Sequence, residues 1–167
     1  MENKITKDWF VGFIEGEGNF HVGLSNTKNN PGYPFDTYPF LQFRIFLRED
    51  DEEVLQLIKE FLGFGNIYKK SLKYNRDRGF KAMDQCNFVV GNSKDLLKLK
   101  DILSDSCLFT KKKKDRKLFF KILDMKIEKK HLNEEGYREM LSLIGGLNSG
   151  ERGNFKPGNN RKLYFAK

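Results

Sequence analysis

The stretch Phe10-Val11-Gly12-Phe13-Ile14-Glu15-Gly16-Glu17-Gly18 constrains this chain more than any other. Thr6 offers an N-cap hydroxyl, and the apolar spacing after it predicts a helix running to Glu17. Gly18 is expected to end that helix, because glycine accepts the left-handed conformation at a helix C-terminus. From Asn19 the period changes to two, with Phe20, Val22 and Leu24 on one face and Asn19, His21, Gly23 and Ser25 on the other. A half-buried strand therefore follows.

Two features of the helix need a cause. Gly12 and Gly16 interrupt it four residues apart, and each costs about 1 kcal/mol relative to alanine. Small residues at this spacing let two helix backbones approach, so Gly12, Phe13 and Gly16 are expected at a contact between helices. Glu15 and Glu17 lie at the helix end where the macrodipole is already negative. A cation reverses that penalty, and two paired helices bring two Glu17 carboxylates together, where a divalent ion relieves their repulsion. Carboxylate, backbone carbonyl and water are the ligands hard Mg²⁺ prefers. A plain amphipathic helix ending in solvated acids accounts for the same residues.

Composition narrows the classes of function. The chain has 167 residues, a net charge of +8 and 16 Phe, too much apolar surface for a wholly disordered chain. Its excess of positive charge favours a polyanionic partner, most often nucleic acid. No apolar run approaches the roughly 20 residues of a bilayer span, and the N-terminus lacks a secretory pattern. The expectation is an intracellular protein without a membrane partner, in the cytoplasm, the nucleoid or an organelle such as a mitochondrion or chloroplast. Cys86 and Cys107 form no C-x-x-C pair and read as reduced thiols.

Further along, Asn26 to Pro39 reads as a loop. A strand follows in which Leu41, Phe43, Ile45 and Leu47 alternate with Gln42, Arg44, Phe46 and Arg48. Asp50 and Glu53 stand at capping-box spacing before a helix with Val54, Leu57, Ile58, Phe61 and Leu62 on its apolar side. Strands are expected from Asn66 to Leu72 and from Phe80 to Val90, joined by a turn over 75–79, then helices over 94–103, 114–130 and 134–147. This is an α+β layout, αββαββα with an extra C-terminal helix, its antiparallel sheet covered by helices on one face. Residues 1–150 are read as one domain and 151–167 as a Gly- and Asn-rich basic tail.

Position by position, Phe10 to Gly18 resembles the motif of the LAGLIDADG homing endonucleases, with Phe and Val for its first Leu and Ala and Glu for Asp at both acidic places. The following Asn-Phe-His-Val strand, the element order through residue 130 and the helix over 132–148 are similar too. The resemblance implies a saddle-shaped sheet and a metal-dependent nuclease that cuts both DNA strands, with Mg²⁺ or Mn²⁺ as cofactor. It implies Glu17 and the Gly16 carbonyl as metal ligands, with Glu15 serving the helix end or its contacts. Thr110-Lys111-Lys112 looks like the family's basic element before a helix, and the resemblance implies Lys112 as a catalytic residue that polarises the scissile phosphate or the attacking water; a solvated lysine run at a helix start is the plainer reading. At the end of the second strand relatives carry a polar residue, often Gln. Here Leu47 and Arg48 stand, so that role is either lost or taken by Arg48.

For DNA contact the polar strand faces offer His21, Ser25, Gln42, Arg44, Tyr68, Lys70, Gln85 and Asn87, about 6.6 Å apart along a strand. This spacing suits base edges in the major groove, where Arg pairs with guanine and Gln with adenine. Lys28, Lys69, Lys73, Arg76 and Arg78 are expected on phosphates, which position without specifying. One motif per chain implies a homodimer and a near-palindromic double-stranded target. Two other readings stay open: a maturase-like protein that holds DNA or intron RNA without cutting it, and one half of a two-repeat enzyme.

Overall fold

The computed structural model describes residues 4–27, 32–81 and 83–147. Lys28 and the 151–167 tail lie outside them. Helix α1 (Lys7–Glu17) starts where the Thr6 hydroxyl accepts a hydrogen bond from the Trp9 amide at 3.2 Å. Strands β1 (Gly18–Asn26) and β2 (Thr37–Arg48), helix α2 (Glu52–Leu62), strand β3 (Asn66–Lys70), helix α3 (Lys73–Asp77) and strand β4 (Gln85–Val90) follow. Helices α4 (Ser93–Ile102), α5 (Lys112–Ile127) and α6 (Glu134–Leu147) complete the order. The expected succession is present, with one short helix, α3, inserted between the last two strands.

The four strands form one antiparallel sheet in the order β1-β2-β4-β3. In its register Phe43 lies opposite Val90, Ile45 opposite Phe88 and Leu47 opposite Cys86, so the apolar face that alternation predicts is continuous across strands. The described residues up to Phe20 and from Gln42 to Thr110 form one compact unit, and those from His21 to Leu41 and from Lys111 to Leu147 form another. In the first unit, Phe10 and Ile14 of α1, Phe43 and Ile45 of β2, Leu55 and Ile58 of α2 and Phe88 of β4 have no solvent exposure. Phe10 packs on Phe43 and Phe61 at ring-centroid distances of 6.4 and 5.7 Å. In the second, Phe119, Ile122 and Leu123 of α5 are buried, as are Tyr137, Met140 and Ile144 of α6. Both cysteines are free thiols. Among the described residues no helix is long and apolar enough to cross a membrane.

Several local expectations give way to competing hydrogen bonds. The Asp50/Glu53 capping box does not form: the chain turns through a 3₁₀ segment, Glu49–Asp51, and the Asp50 carboxylate accepts from Arg48 at 2.6 Å instead. Strand β3 stops at Lys70 and β4 begins only at Gln85, because Asp84 organises the intervening segment. Its carboxylate accepts from the Leu72 amide at 2.7 Å and from both terminal nitrogens of Arg76, at 2.6 and 3.3 Å. Side-chain bonds of this kind offer the backbone an alternative to a ladder. Helix α2 does end at a left-handed glycine, Gly63, with φ of 73°.

In the second unit the Tyr33 hydroxyl donates to the His131 carbonyl at 3.5 Å, and the two rings lie 6.0 Å apart. Burial first, then the neighbouring Tyr137 and Tyr38, pushes the Tyr33 phenol up to about 12. The buried His131 Nδ1 finds no hydrogen-bond partner among the described residues. Burial, and secondarily Lys126, lowers the His131 pKa below its ordinary 6.5. The unfolded chain then binds a proton more readily than the folded one, so this residue's stabilising effect is complete above pH 6.5 and is lost as pH falls from there toward the folded value. Urea titrations from pH 8 to 5 should show a decline, of at most about 1.4 kcal/mol per pH unit for one proton, that is smaller in His131→Gln. Identical pH profiles for both proteins would refute it.

Candidate nucleic-acid interface and acidic helix end

Helix α1 has two working sides. Phe10 and Ile14 point into the first unit's core. Trp9, Gly12, Phe13 and Gly16 recur at helical spacing on another side. Trp9 and Phe13 stack at 4.8 Å and 11°, and Trp9 keeps 43% of its surface exposed. A Cβ added at Gly12 or Gly16 would meet nothing within 4 Å. Nothing among the described residues therefore demands glycine at either place.

Gly18 differs. Its φ of −67° and ψ of 143° are those of a strand, so the left-handed helix end expected from sequence does not occur. Glycine is needed there for proximity: a Cβ would come within 2.8 Å of the Ile14 Cβ and carbonyl oxygen. The bare backbone lets β1 leave the helix with no intervening loop. Glu17 is exposed at this junction. Glu15 is occupied, its carboxylate accepting from the Phe109 amide and from the amide and hydroxyl of Thr110. It thus holds the segment that leads into α5, the contact role expected of it.

On the outer sheet face of the first unit, the register assembles three rows. Arg44 lies opposite Val89, and Val89 opposite Asn66; Phe46 opposite Asn87, and Asn87 opposite Tyr68; Arg48 opposite Gln85, and Gln85 opposite Lys70. The structure thus brings Arg44, Arg48, Tyr68, Lys70, Gln85 and Asn87 onto one surface. The Asn87 Oδ1 is buried there without a hydrogen-bond partner among the described residues. Arg44 donates to the Gln42 side-chain oxygen through Nε at 2.8 Å and also through Nη2. Burial lowers the Arg44 pKa from its ordinary value. Arg48, exposed, is paired with Asp50.

In the second unit, His21 and Ser25 lie on β1 opposite in phase to the buried Val22. The His21 ring lies 5.7 Å from Phe40, and Phe40 covers Gly23 so closely that a Cβ there would meet its ring at 2.4 Å. Lys112, half-buried, opens α5, and Lys111 occupies its N-cap position.

Other basic residues have structural engagements. Lys69 falls on the face opposite Tyr68 and Lys70 and pairs with Glu52 at 2.6 Å and Glu49 at 3.5 Å. Its hydrogen bond to Glu52 holds the Lys69 pKa above the ordinary value. Arg76 is committed to Asp84, whose own pKa this pairing depresses. Arg78 lies over the rings of Tyr74 and Phe80 at 5.5 and 5.9 Å. Strand phase alone already separates Lys69 from its neighbours, whereas the Asp84 partnership with Arg76 has no local sequence signal.

An α+β unit with a glycine-bearing acidic helix end and a polar outer sheet face is the architecture of a known nuclease class. The profile of the LAGLIDADG endonucleases matches residues 10–123. The chain belongs to that family. It is 30% identical over 120 residues to "Probable intron-encoded endonuclease 4" of Neurospora crassa, an alignment covering 72% of this chain and 18% of that protein. It resembles the crystal structure of the homing endonuclease I-TnaI with a TM-score of 0.74 and 28% identity, over 88% of this chain and 90% of that one. It also resembles I-SmaMI bound to an uncleaved DNA target in the presence of calcium ions, with a TM-score of 0.75 and 26% identity over 88% and 46% of the two chains. The chain thus spans about a fifth of the Neurospora relative.

The glycines should separate under substitution. Gly18→Ala forces Cβ against Ile14 and is expected to destabilise the chain by about 1–3 kcal/mol. Gly12→Ala should leave stability unchanged or raise it by up to about 1 kcal/mol. Urea midpoints in dilute protein decide this, and equal losses at both positions would contradict the geometry.

Proposed function

We propose that this chain is a site-specific DNA endonuclease that acts as a pair of identical copies, hydrolysing both strands of a long, near-palindromic duplex. The observation that carries this reading is the outer side of α1, with its stacked Trp9 and Phe13, its open Cβ positions at Gly12 and Gly16, and the exposed Glu17 at its end. A second copy seated on this side by a two-fold axis explains the glycines and places two Glu17 carboxylates near each other.

Among the described residues no group of three or more His, Cys, Asp or Glu side chains is gathered in a way that could hold a metal ion. Pairing supplies the missing donors. Glu17 carboxylates and Gly16 carbonyls are hard oxygen ligands and fit Mg²⁺ or Mn²⁺. A bound divalent cation supplies Lewis-acid stabilisation of the attacking and leaving oxygens. Lys112 is assigned to the negative charge that develops on the phosphate, and Arg48, steadied by Asp50, to the polar role at the end of β2. The outer sheet face takes the DNA, with Arg44, Gln85, Asn87, Tyr68 and Lys70 directed at the groove.

Glu17→Gln should abolish Mg²⁺-dependent cleavage of plasmids carrying sites selected from a random library, while binding measured in Ca²⁺ persists. Sedimentation of the wild type should find a dimer, and Gly12→Leu should shift it to monomer with loss of cleavage. A monomer that cuts both strands would overturn the proposal.

A further inference from the structure

We propose that Arg44 and Gln42 act as one donor-only unit that selects guanine at a single position of each half-site, with Gln42 as the positioning residue and not an independent reader of adenine. This rests on the DNA-binding reading above and specifies its chemistry at one place.

The two residues are i and i+2 on β2 and therefore share the outer face. The Gln42 side-chain oxygen already accepts two hydrogen bonds from Arg44, through Nε at 2.8 Å and through Nη2. For Gln to pair with adenine, that same oxygen must accept from the adenine amino group while the amide nitrogen donates to N7. Arg44 has taken the oxygen. What the pair still presents is the remaining guanidinium hydrogens and the Gln42 amide hydrogens, all of them donors.

The major-groove edge of guanine carries two adjacent acceptors, O6 and N7. Adenine offers one acceptor beside a donor, cytosine a donor, and thymine one acceptor beside a methyl group. Only guanine offers two adjacent acceptors to a donor-only unit; adenine and cytosine set an amino group, and thymine a methyl group, against a donor. The arginine is also freer for this task than its neighbours. Arg48 is paired with Asp50 and Arg76 with Asp84, whereas no ion pair among the described residues engages Arg44. Clamping of one guanidinium edge by Gln42 reduces the ordering that binding would otherwise require, and leaves the opposite edge to face the base.

The test is selection of bound duplexes from a randomised DNA library in Ca²⁺, followed by sequencing, for the wild type, Arg44→Lys, Arg44→Ala and Gln42→Leu, with thermal melting to monitor folding. The wild type should show a guanine column whose preference is roughly 5- to 150-fold, the range of one good bidentate pair. Arg44→Ala should erase that column and leave the others in place. Arg44→Lys, which keeps the charge, should weaken it, and Gln42→Leu should relax it by several-fold with an unchanged melting temperature. If Arg44→Ala lowers affinity uniformly and alters no column, Arg44 is a phosphate contact and the inference fails. If Gln42→Leu leaves the guanine column intact, or a Gln42-dependent adenine column appears, the positioning role fails. A wild type that enriches no sequence overturns the nuclease reading itself, a result distinct from the other two.

Discussion

The structure depends on how the short helix α1 is anchored on one side and joined without a loop to β1. Phe10 and Ile14 commit one side to the core of the first unit, and Gly18 lets β1 depart at once because a Cβ there would lie 2.8 Å from Ile14. This tight junction fixes the direction in which the helix end faces. Because a helix has several sides, burying one leaves Trp9, Gly12, Phe13 and Gly16 on another, where Gly12 and Gly16 have open space beside them. Glu17, the last residue of the helix, is exposed.

The two motif acids have diverged in role through their surroundings. Glu15 is hydrogen-bonded to the 109–110 segment and so ties the helix end to the approach of α5. Glu17 has turned the other way, into solvent. Two similar side chains two residues apart thus do different things, since successive helix positions are rotated by about 100°. A charged side chain that faces solvent at a negative helix end is available to a cation in a way that a carboxylate already accepting amide hydrogens is not.

The basic residues on and around the sheet show a similar sorting. Arg48, Lys69 and Arg76 are each engaged by a carboxylate, from Asp50, Glu52 and Asp84 respectively. Exposed pairs of this kind contribute little stability, but they fix where the cations sit and reduce the number that remain for phosphate. Arg44 is instead held by a neutral amide, so it keeps its full charge and an unoccupied edge. Net charge describes the whole surface; the partner of each cation determines which ones are left without a carboxylate.

Much of this was legible in the order of residues. Period-two alternation in β2 places Arg44 and Gln42 together and Leu41, Phe43 and Ile45 inward, and the nine residues from Phe10 to Gly18 by themselves point to the family. Those signals are local: each follows from the geometry of one helix or one strand. What the sequence left undetermined involves partners distant along the chain. The reach of Glu15 to Thr110 and the hold of Asp84 on Leu72 and Arg76, where β3 and β4 stop short, follow from how elements meet. The sequence by itself determined which faces are apolar, because side-chain period is a property of local backbone geometry. Only the tertiary structure decided which polar groups on the other faces are already satisfied, because a hydrogen bond requires its two partners to be near in space, whatever their distance along the chain.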